Sequence, residues 1–283
     1  MRPIDLRFQG SERVITSWLV DDVLVDPGPE SCLDVLLAGL GQTRPRAILL
    51  THIHFDHAGA TGALVRRWPE VPVFVHDRGA PHMASPERLL ASTARLIGED
   101  GIRARWGGMA PVPRENLHVL EGGERILDDA FRVAYTPGHA VHHVAYLHEA
   151  SGWALVGDVA GVRIMPEATV IAPTPPPDVD LEAWPASLAK LRGWEPERLC
   201  LSHSGAVSEI DAHLSALEES LARQAERARE LEAEAFVDWY RGHLAERMAP
   251  EVVALYLEAS PVEHMWRGLR RWHEKRARRG AGR

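Results

Sequence analysis

The run Thr51-His52-Ile53-His54-Phe55-Asp56-His57 constrains this chain more than any other feature. It follows the strand predicted over Ala47–Thr51, whose apolar run suits burial on both faces, and precedes the helix predicted from Gly59. With 15 His and 15 Asp in 283 residues, random placement gives H-x-H-x-D-H about 0.002 times per chain. Imidazole and carboxylate are the ligand types of borderline divalent cations, and a tight strand-to-helix loop can aim alternate side chains at one spot. One segment cannot close such a site, so ligands must come from elsewhere in the chain.

Three further positions offer ligand-type residues where a predicted strand gives way to a loop. Pro137-Gly138-His139 follows the strand at Arg132–Thr136. Gly157-Asp158 ends Trp153–Gly157, and Ser202-His203-Ser204-Gly205 closes Arg198–Ser202. Loops at strand ends are where layered α/β architectures gather active-site residues.

The rest of the first 206 residues alternates in the same way. Val14–Val20 and Val23–Asp26 read as strands joined at Asp21-Asp22, and Val71–Val75 and His143–His148 as further strands. Cys32–Leu40, Gly59–Trp68, Pro86–Gly98 and Leu181–Leu191 read as helices. Interleaved strands and helices, with hairpin pairs among them, predict mixed sheets with helices outside. After His203 the pattern changes. Val207, Ile210, Leu214, Leu217 and Leu221 form a helical apolar stripe, continued by Ala225, Ala228, Leu231 and Ala235. Pro250 and Pro261 then divide the end into two shorter helices. The expected organisation is a catalytic domain over 1–206 and a helical extension over 207–283, its stripe packed on that domain or across a homodimer.

Composition limits the partners. No apolar run is long enough to span a membrane, and the start MRPIDLRFQG lacks the apolar stretch of an export signal. Cys32 and Cys200 are the only cysteines, which fits a reducing cytoplasm. Net charge is −8, yet Gly268–Arg283 carries a local +6, leaving −14 on the remainder. A bulk acidic surface argues against nucleic acid as the default partner, and the basic tail reads as a solvated end before a contact with phosphate, membrane or an acidic neighbour; the partner expected is a small-molecule substrate.

On the His52–His57 cluster, Asp26, His139, Asp158 and His203, the chain resembles the metallo-β-lactamase-fold hydrolases over roughly residues 12–206. The resemblance implies a four-layer αββα sandwich with two divalent cations at one edge of its sheets. His52, His54 and His139 would hold the first, Asp56, His57 and His203 the second, and Asp158 would bridge both. Asp26 would orient the ligand loop without binding metal, and His143 would act from behind the ligands. His142 stands where relatives usually have Gly and receives no role. Zinc is the first choice, with iron or manganese fitting the same donors. Two such metals sit roughly 3.5–4 Å apart and share a hydroxide that attacks the substrate.

Departures from relatives narrow the activity. Zinc β-lactamases usually carry Arg at the place of His57 and Cys at that of Asp158, and flavodiiron proteins carry Glu at that of His54. What remains is a glyoxalase II-like or lactonase-like hydrolase of an ester, thioester, lactone or phosphodiester, in a poorly characterised archaeal and bacterial subgroup. The alternatives are a mononuclear iron dioxygenase of the persulfide type and a silent scaffold that keeps the fold. The segment between His57 and His139 is either a pocket wall carrying Met83, Trp106 and Met109 or a cover for a sheet edge. His76 and His82 are candidates for the mouth of the site.

Overall fold

The computed structural model describes residues 1–281. Two six-stranded sheets face each other. The first is ordered β1 (Arg2–Asp5), β2 (Thr16–Val20), β3 (Val23–Val25), β4 (Ala47–Leu49), β5 (Val73–His76) and β6 (Leu117–Leu120), with β3 to β6 parallel. The second comprises β7 (Arg125–Ile126), β8 (Phe131–Tyr135), β9 (Val144–His148), β10 (Trp153–Leu155), β11 (Arg198–Cys200) and β12 (Ala206–Val207), of which β10 and β11 are parallel.

Side-chain alternation along the strands sorts the core into layers. Trp18, Val25 and Leu49 of the first sheet meet Phe131, Val133, Tyr146 and Leu155 of the second in the central layer. Their neighbours Leu19, Leu24 and Ile48 point outward, beneath α1 (Leu33–Leu40), α2 (Phe55–Ala58), α3 (Thr61–Arg67), α4 (Ala80–Ala84) and α5 (Glu87–Trp106). Across the molecule Ala145, Ala154 and Leu199 point outward beneath α6 (Trp184–Gly193) and α7 (Ile210–Glu230). The inner strands of both sheets are therefore apolar on two faces, the αββα order the resemblance implies.

The predicted elements stand with shifted ends. The helix placed at Pro86–Gly98 runs on to Trp106 past a break at Gly98, where φ is 77°. The short strands β1, β6, β7 and β12 have no counterpart among the predicted elements. They are edge or near-edge pieces with weak alternation, and Val119 on β6 is 56% exposed.

Leu214, Leu217 and Leu221 of the C-terminal stripe pack with Trp184, Leu188 and Leu199, so the stripe is covered within the chain. Its continuation to Ala235 is interrupted. Leu231 is extended (φ −106°, ψ 142°), its carbonyl accepts from Trp266 Nε1 at 3.0 Å, and α8 (Ala233–Ala245) starts anew. Pro250 opens α9 (Pro250–Ala259) and Pro261 precedes α10 (Val262–Ala281). These helices bury Phe236, Tyr240, Tyr256 and Met265 against Val162, Ile164 and Ile171. The boundary placed at 206/207 falls inside β12. Of the basic tail, Arg283 lies outside the described residues.

Candidate metal centre

β3 and β4 run side by side in one direction, as do β8, β10 and β11 in the other sheet, alternating with antiparallel β9. Each carries one of the expected residues just beyond its C-terminal end: Asp26, His52–His57, His139, Asp158 and His203. The sheets are joined at this rim by Thr16 N–H to Ser202 O (2.7 Å), Val144 N–H to Thr51 O (2.8 Å) and Tyr146 O–H to Leu50 O (2.8 Å). That joining brings the five loops to one place.

Two glycines let the loops close. Gly157 has φ +48°, and a Cβ there would meet Thr51 Oγ1 at 2.5 Å and His143 Nε2 at 2.7 Å. Gly138 has φ +144° and lies against Trp184, where a Cβ would come within 2.7 Å. Each immediately precedes a residue of the centre, so the side chains of Asp158 and His139 enter only because their predecessors have none.

All seven expected residues converge. His52, His54 and His139 form one group with donor atoms within 4.8 Å of one another, and Asp56, His57 and His203 form a second. Asp158 lies between the two. Its Oδ1 is 3.3 Å from both His57 Nε2 and His203 Nε2, while Oδ2 is 3.5 Å from His139 Nε2. His54 turns its Nδ1 toward His139 Nε2 at 3.0 Å.

The outer nitrogens fix which inner atoms are bare. His57 Nδ1 donates to Asp26 Oδ2 (3.0 Å), His139 Nδ1 to Pro173 O (2.8 Å) and His203 Nδ1 to Val14 O (2.7 Å). Thr51 Oγ1 gives its proton to Asp26 Oδ2, so it accepts from His52 Nδ1 at 3.0 Å. In the neutral form of these rings the Nε2 atoms therefore carry lone pairs pointing inward. Nε2 of His52, His57 and His203, and Asp158 Oδ1, are buried and make no hydrogen bond. Lone pairs face lone pairs across 3.3 Å at His57–Asp158, an arrangement that only a cation or an added proton relieves. This donor set fits divalent cations.

The titration of the groups carries the same message. Burial opposes charge on His57 and His203, but Asp158 beside both, with Asp56, outweighs it and pushes them upward, His57 strongly. Burial also opposes ionisation of Asp158, yet His57, His203 and His139 hold it well below the usual carboxylate range. Burial lowers His52 and His139, and lowers His54 to about 3, with His139 adding to that effect.

Asp26 also falls within reach of His52 and His57. Its oxygens, however, already accept from Thr51 N–H (2.8 Å), Thr51 O–H (2.7 Å), His57 Nδ1–H (3.0 Å) and Ser202 O–H (3.0 Å). It orients the ligand loop through these bonds. His143 stands behind the centre, its Nδ1 donating to Thr136 Oγ1 (2.8 Å) and its Nε2 accepting from Val159 N–H (3.3 Å), which braces the Asp158 turn.

Some residues were placed differently or passed over. His142, given no role, is buried, stacks on His52, and accepts from Ile53 N–H at 3.4 Å. Thr51 and Ser202 carry the hydroxyls that hold Asp26; the signal was a hydroxyl residue directly before a ligand-type His in each loop. His82 does line the cavity over the centre, but His76 is buried under Tyr135, away from it. Met83 and Met109 belong to the core, while Trp106 stacks on Phe55 and walls the cavity.

That cavity measures about 280 Å³ and exposes His54, Asp56, His139 and Asp158 at its base. α5 forms one wall and Pro173–Pro177 another, and the corner between α9 and α10 (Ser260, Pro261, His264) closes it. The C-terminal helices therefore shape the space in which a substrate would sit.

An αββα sandwich with this histidine and aspartate set at its rim is the architecture of one superfamily, and residues 10–203 match it: the chain belongs to the metallo-beta-lactamase superfamily. It is 30% identical over 206 residues to the probable metallo-hydrolase YflN of Bacillus subtilis, covering 64% of this chain and 74% of that protein. The archaeal superfamily protein ST1585 from Sulfolobus tokodaii superposes with a TM-score of 0.66 over 95% of this chain and 97% of its own, at 23% identity. The sequence match to ST1585 spans 61% of that protein. TTHA1623, solved in a di-iron-bound form, is 27% identical, with a TM-score of 0.56 over 77% of this chain and 98% of its own. Among the described residues no helix is long and apolar enough to cross a membrane.

Proposed function

We propose that the chain is a dinuclear metal-dependent hydrolase of a small ester, thioester, lactone or phosphodiester. The observation that carries this reading is the Asp158 carboxylate, which turns one oxygen to His57 and His203 and the other to His139. A single carboxylate between two groups of three donors suits two cations sharing one ligand. When bound, such a pair supplies water activated at neutral pH and an electrophile for the carbonyl or phosphoryl oxygen.

The chain's own residues do the rest. His52, His54 and His139 would hold one position and Asp56, His57 and His203 the other, with the rings of His52, His57, His139 and His203 each locked by the hydrogen bond on Nδ1. Asp56 and Asp158 face the cavity, so they are placed to accept a proton as water is consumed. The apolar walls from Ile53, Phe55 and Trp106 exclude bulk water from the reacting bond. Zinc is our first assignment for both positions, and the di-iron form of TTHA1623 makes iron the alternative to test. We place the chain in the reducing cytoplasm, supported by two buried, unpaired thiols, Cys32 and Cys200.

Elemental analysis of protein expressed with ample metal tests the assignment, followed by a panel of the four substrate types. Two equivalents per chain and turnover abolished by chelation are expected. One tightly held iron, with no second equivalent at saturation, would replace this reading with the mononuclear dioxygenase.

A further inference from the structure

Arg105 stands in the last turn of α5, on the wall of the cavity that has Asp56, His139 and Asp158 at its base. Its guanidinium lies 5.1 Å from the Phe8 ring centroid and 5.4 Å from that of Trp106. Nη2 donates to Glu258 O on α9 at 2.7 Å, while the Nε–H is buried without an acceptor. The backbone beneath is pinned as well, since Arg105 O accepts from Ser31 O–H (3.0 Å) and from the Gln9 side chain (3.2 Å).

Two other half-buried arginines show what this position lacks. Arg192 pairs with both oxygens of Glu218 at 3.0 and 2.9 Å, and Arg132 with both oxygens of Glu149 at 3.0 and 3.2 Å. Among the described residues no carboxylate pairs with Arg105, and its side-chain hydrogen bond is the one from Nη2 to Glu258 O, which leaves Nη1 without a protein acceptor. Arginine stays charged at any physiological pH. A guanidinium held by two rings and one neutral carbonyl keeps an uncompensated charge, because a ring face and a carbonyl stabilise a cation without neutralising it. Arg88 of the same helix also lines the cavity, as do Asp178 and Glu258, and His264 is held below its usual value by burial first, then by Arg267 and Arg105, against Glu263. A cation fixed in place and left unpaired at a cavity wall is suited to the anionic group of a ligand.

The geometry points to an anion subsite at Arg105: the substrate is an acyl ester or thioester whose acyl chain ends in a carboxylate, received by Nη1 while the scissile bond lies over the histidine and aspartate cluster. This rests on the hydrolase reading and narrows it to one substrate class. The cavity of about 280 Å³ restricts that class to short chains.

Two matched esters test it on the metal-loaded enzyme: 4-nitrophenyl hemisuccinate and 4-nitrophenyl butyrate, which differ in the terminal carboxylate. The wild type is expected to favour the hemisuccinate about tenfold or more in kcat/KM, chiefly through KM. In Arg105→Gln that ratio should fall toward one, and in Arg105→Lys it should lie between. A wild-type ratio of one overturns the subsite whatever the variants do. If neither ester is cleaved, the subsite is judged apart from turnover, by calorimetry with 1-butanesulfonate, a weak metal ligand, while the hydrolase reading is judged by the four-type substrate panel. Wild type should bind it about tenfold more tightly than Arg105→Gln, with Arg105→Lys between. No binding by wild type, or equal binding by the variants, rejects the subsite.

Discussion

His57 donates from Nδ1 to Asp26 Oδ2 across 3.0 Å, and both side chains are buried. The bond decides which nitrogen of His57 is bare, because a neutral ring has one proton and Asp26 takes it. Asp26 also accepts from Thr51 and Ser202, so one carboxylate fixes the loop after β4 and the loop after β11 together.

Asp26→Asn keeps the volume but replaces one acceptor oxygen with a donor. It cannot accept all four bonds, and the His57 tautomer is released. Metal affinity should fall by about 10–100-fold, read by competition with a chelator, while the circular dichroism spectrum stays that of the wild type. Unchanged affinity would mean that the loop holds His57 without Asp26.

Asp158→Ala removes the carboxylate placed between the two donor groups. Retained metal should drop from two equivalents to one or fewer, with hydrolysis abolished on whichever substrate the panel identifies. The sandwich should survive, since Asp158 sits on a turn outside the strands. Near-wild-type turnover would reduce Asp158 to a turn residue.

The ease of reading this centre from sequence has a physical origin. Metal ligands are few residue types, and at loop starts after apolar strands they stand out against their neighbours, as His139, Asp158 and His203 do. What escaped was carried by contacts distant in sequence. Arg105 reaches Glu258 across 153 positions, and nothing local to either announces that they share a cavity wall. His142 is another case: its role is to accept from the backbone of Ile53, and backbone donors leave no mark in a sequence. The break at Leu231 was hidden because Ala235 happens to continue the spacing of α7 while belonging to α8.

Protonation should divide the metal-free protein's stability into two limbs. His57 and His203 are raised above 6.5, so their contribution is present below that value and lost as pH rises through their folded values. His52, His54 and His139 are lowered from 6.5, so their contribution is lost as pH falls, for His54 down to about 3. The melting temperature of chelator-treated protein should therefore peak at about pH 6.5 and decline on both sides. With metal restored the alkaline decline should vanish, because bound cations replace the protons on His57 and His203. A metal-free profile that keeps rising to pH 9 would show that these two rings are not raised.

Leu217 tests how far α7 belongs to the body of the protein. It is fully buried among the residues covering the second sheet, and its Cδ1 lies so close to Gly161 that a Cβ there would meet it at 2.7 Å. Gly161 ends the turn that carries Asp158, and His213 on the same helix donates from Nε2 to Ala160 O at 2.8 Å. Leu217→Ala leaves a cavity that this crowded site cannot easily collapse, at a cost of about 2–5 kcal/mol. For a chain of this size the melting temperature should fall by roughly 5–20 °C. Because the stripe is covered within one chain, the mass by light scattering should not change. The metal count at saturation should also hold, since every donor is retained. A Leu217→Ala variant that melts with the wild type would mean that α7 does not rest on the second sheet, and one that changes mass would mean that its apolar face is shared between chains.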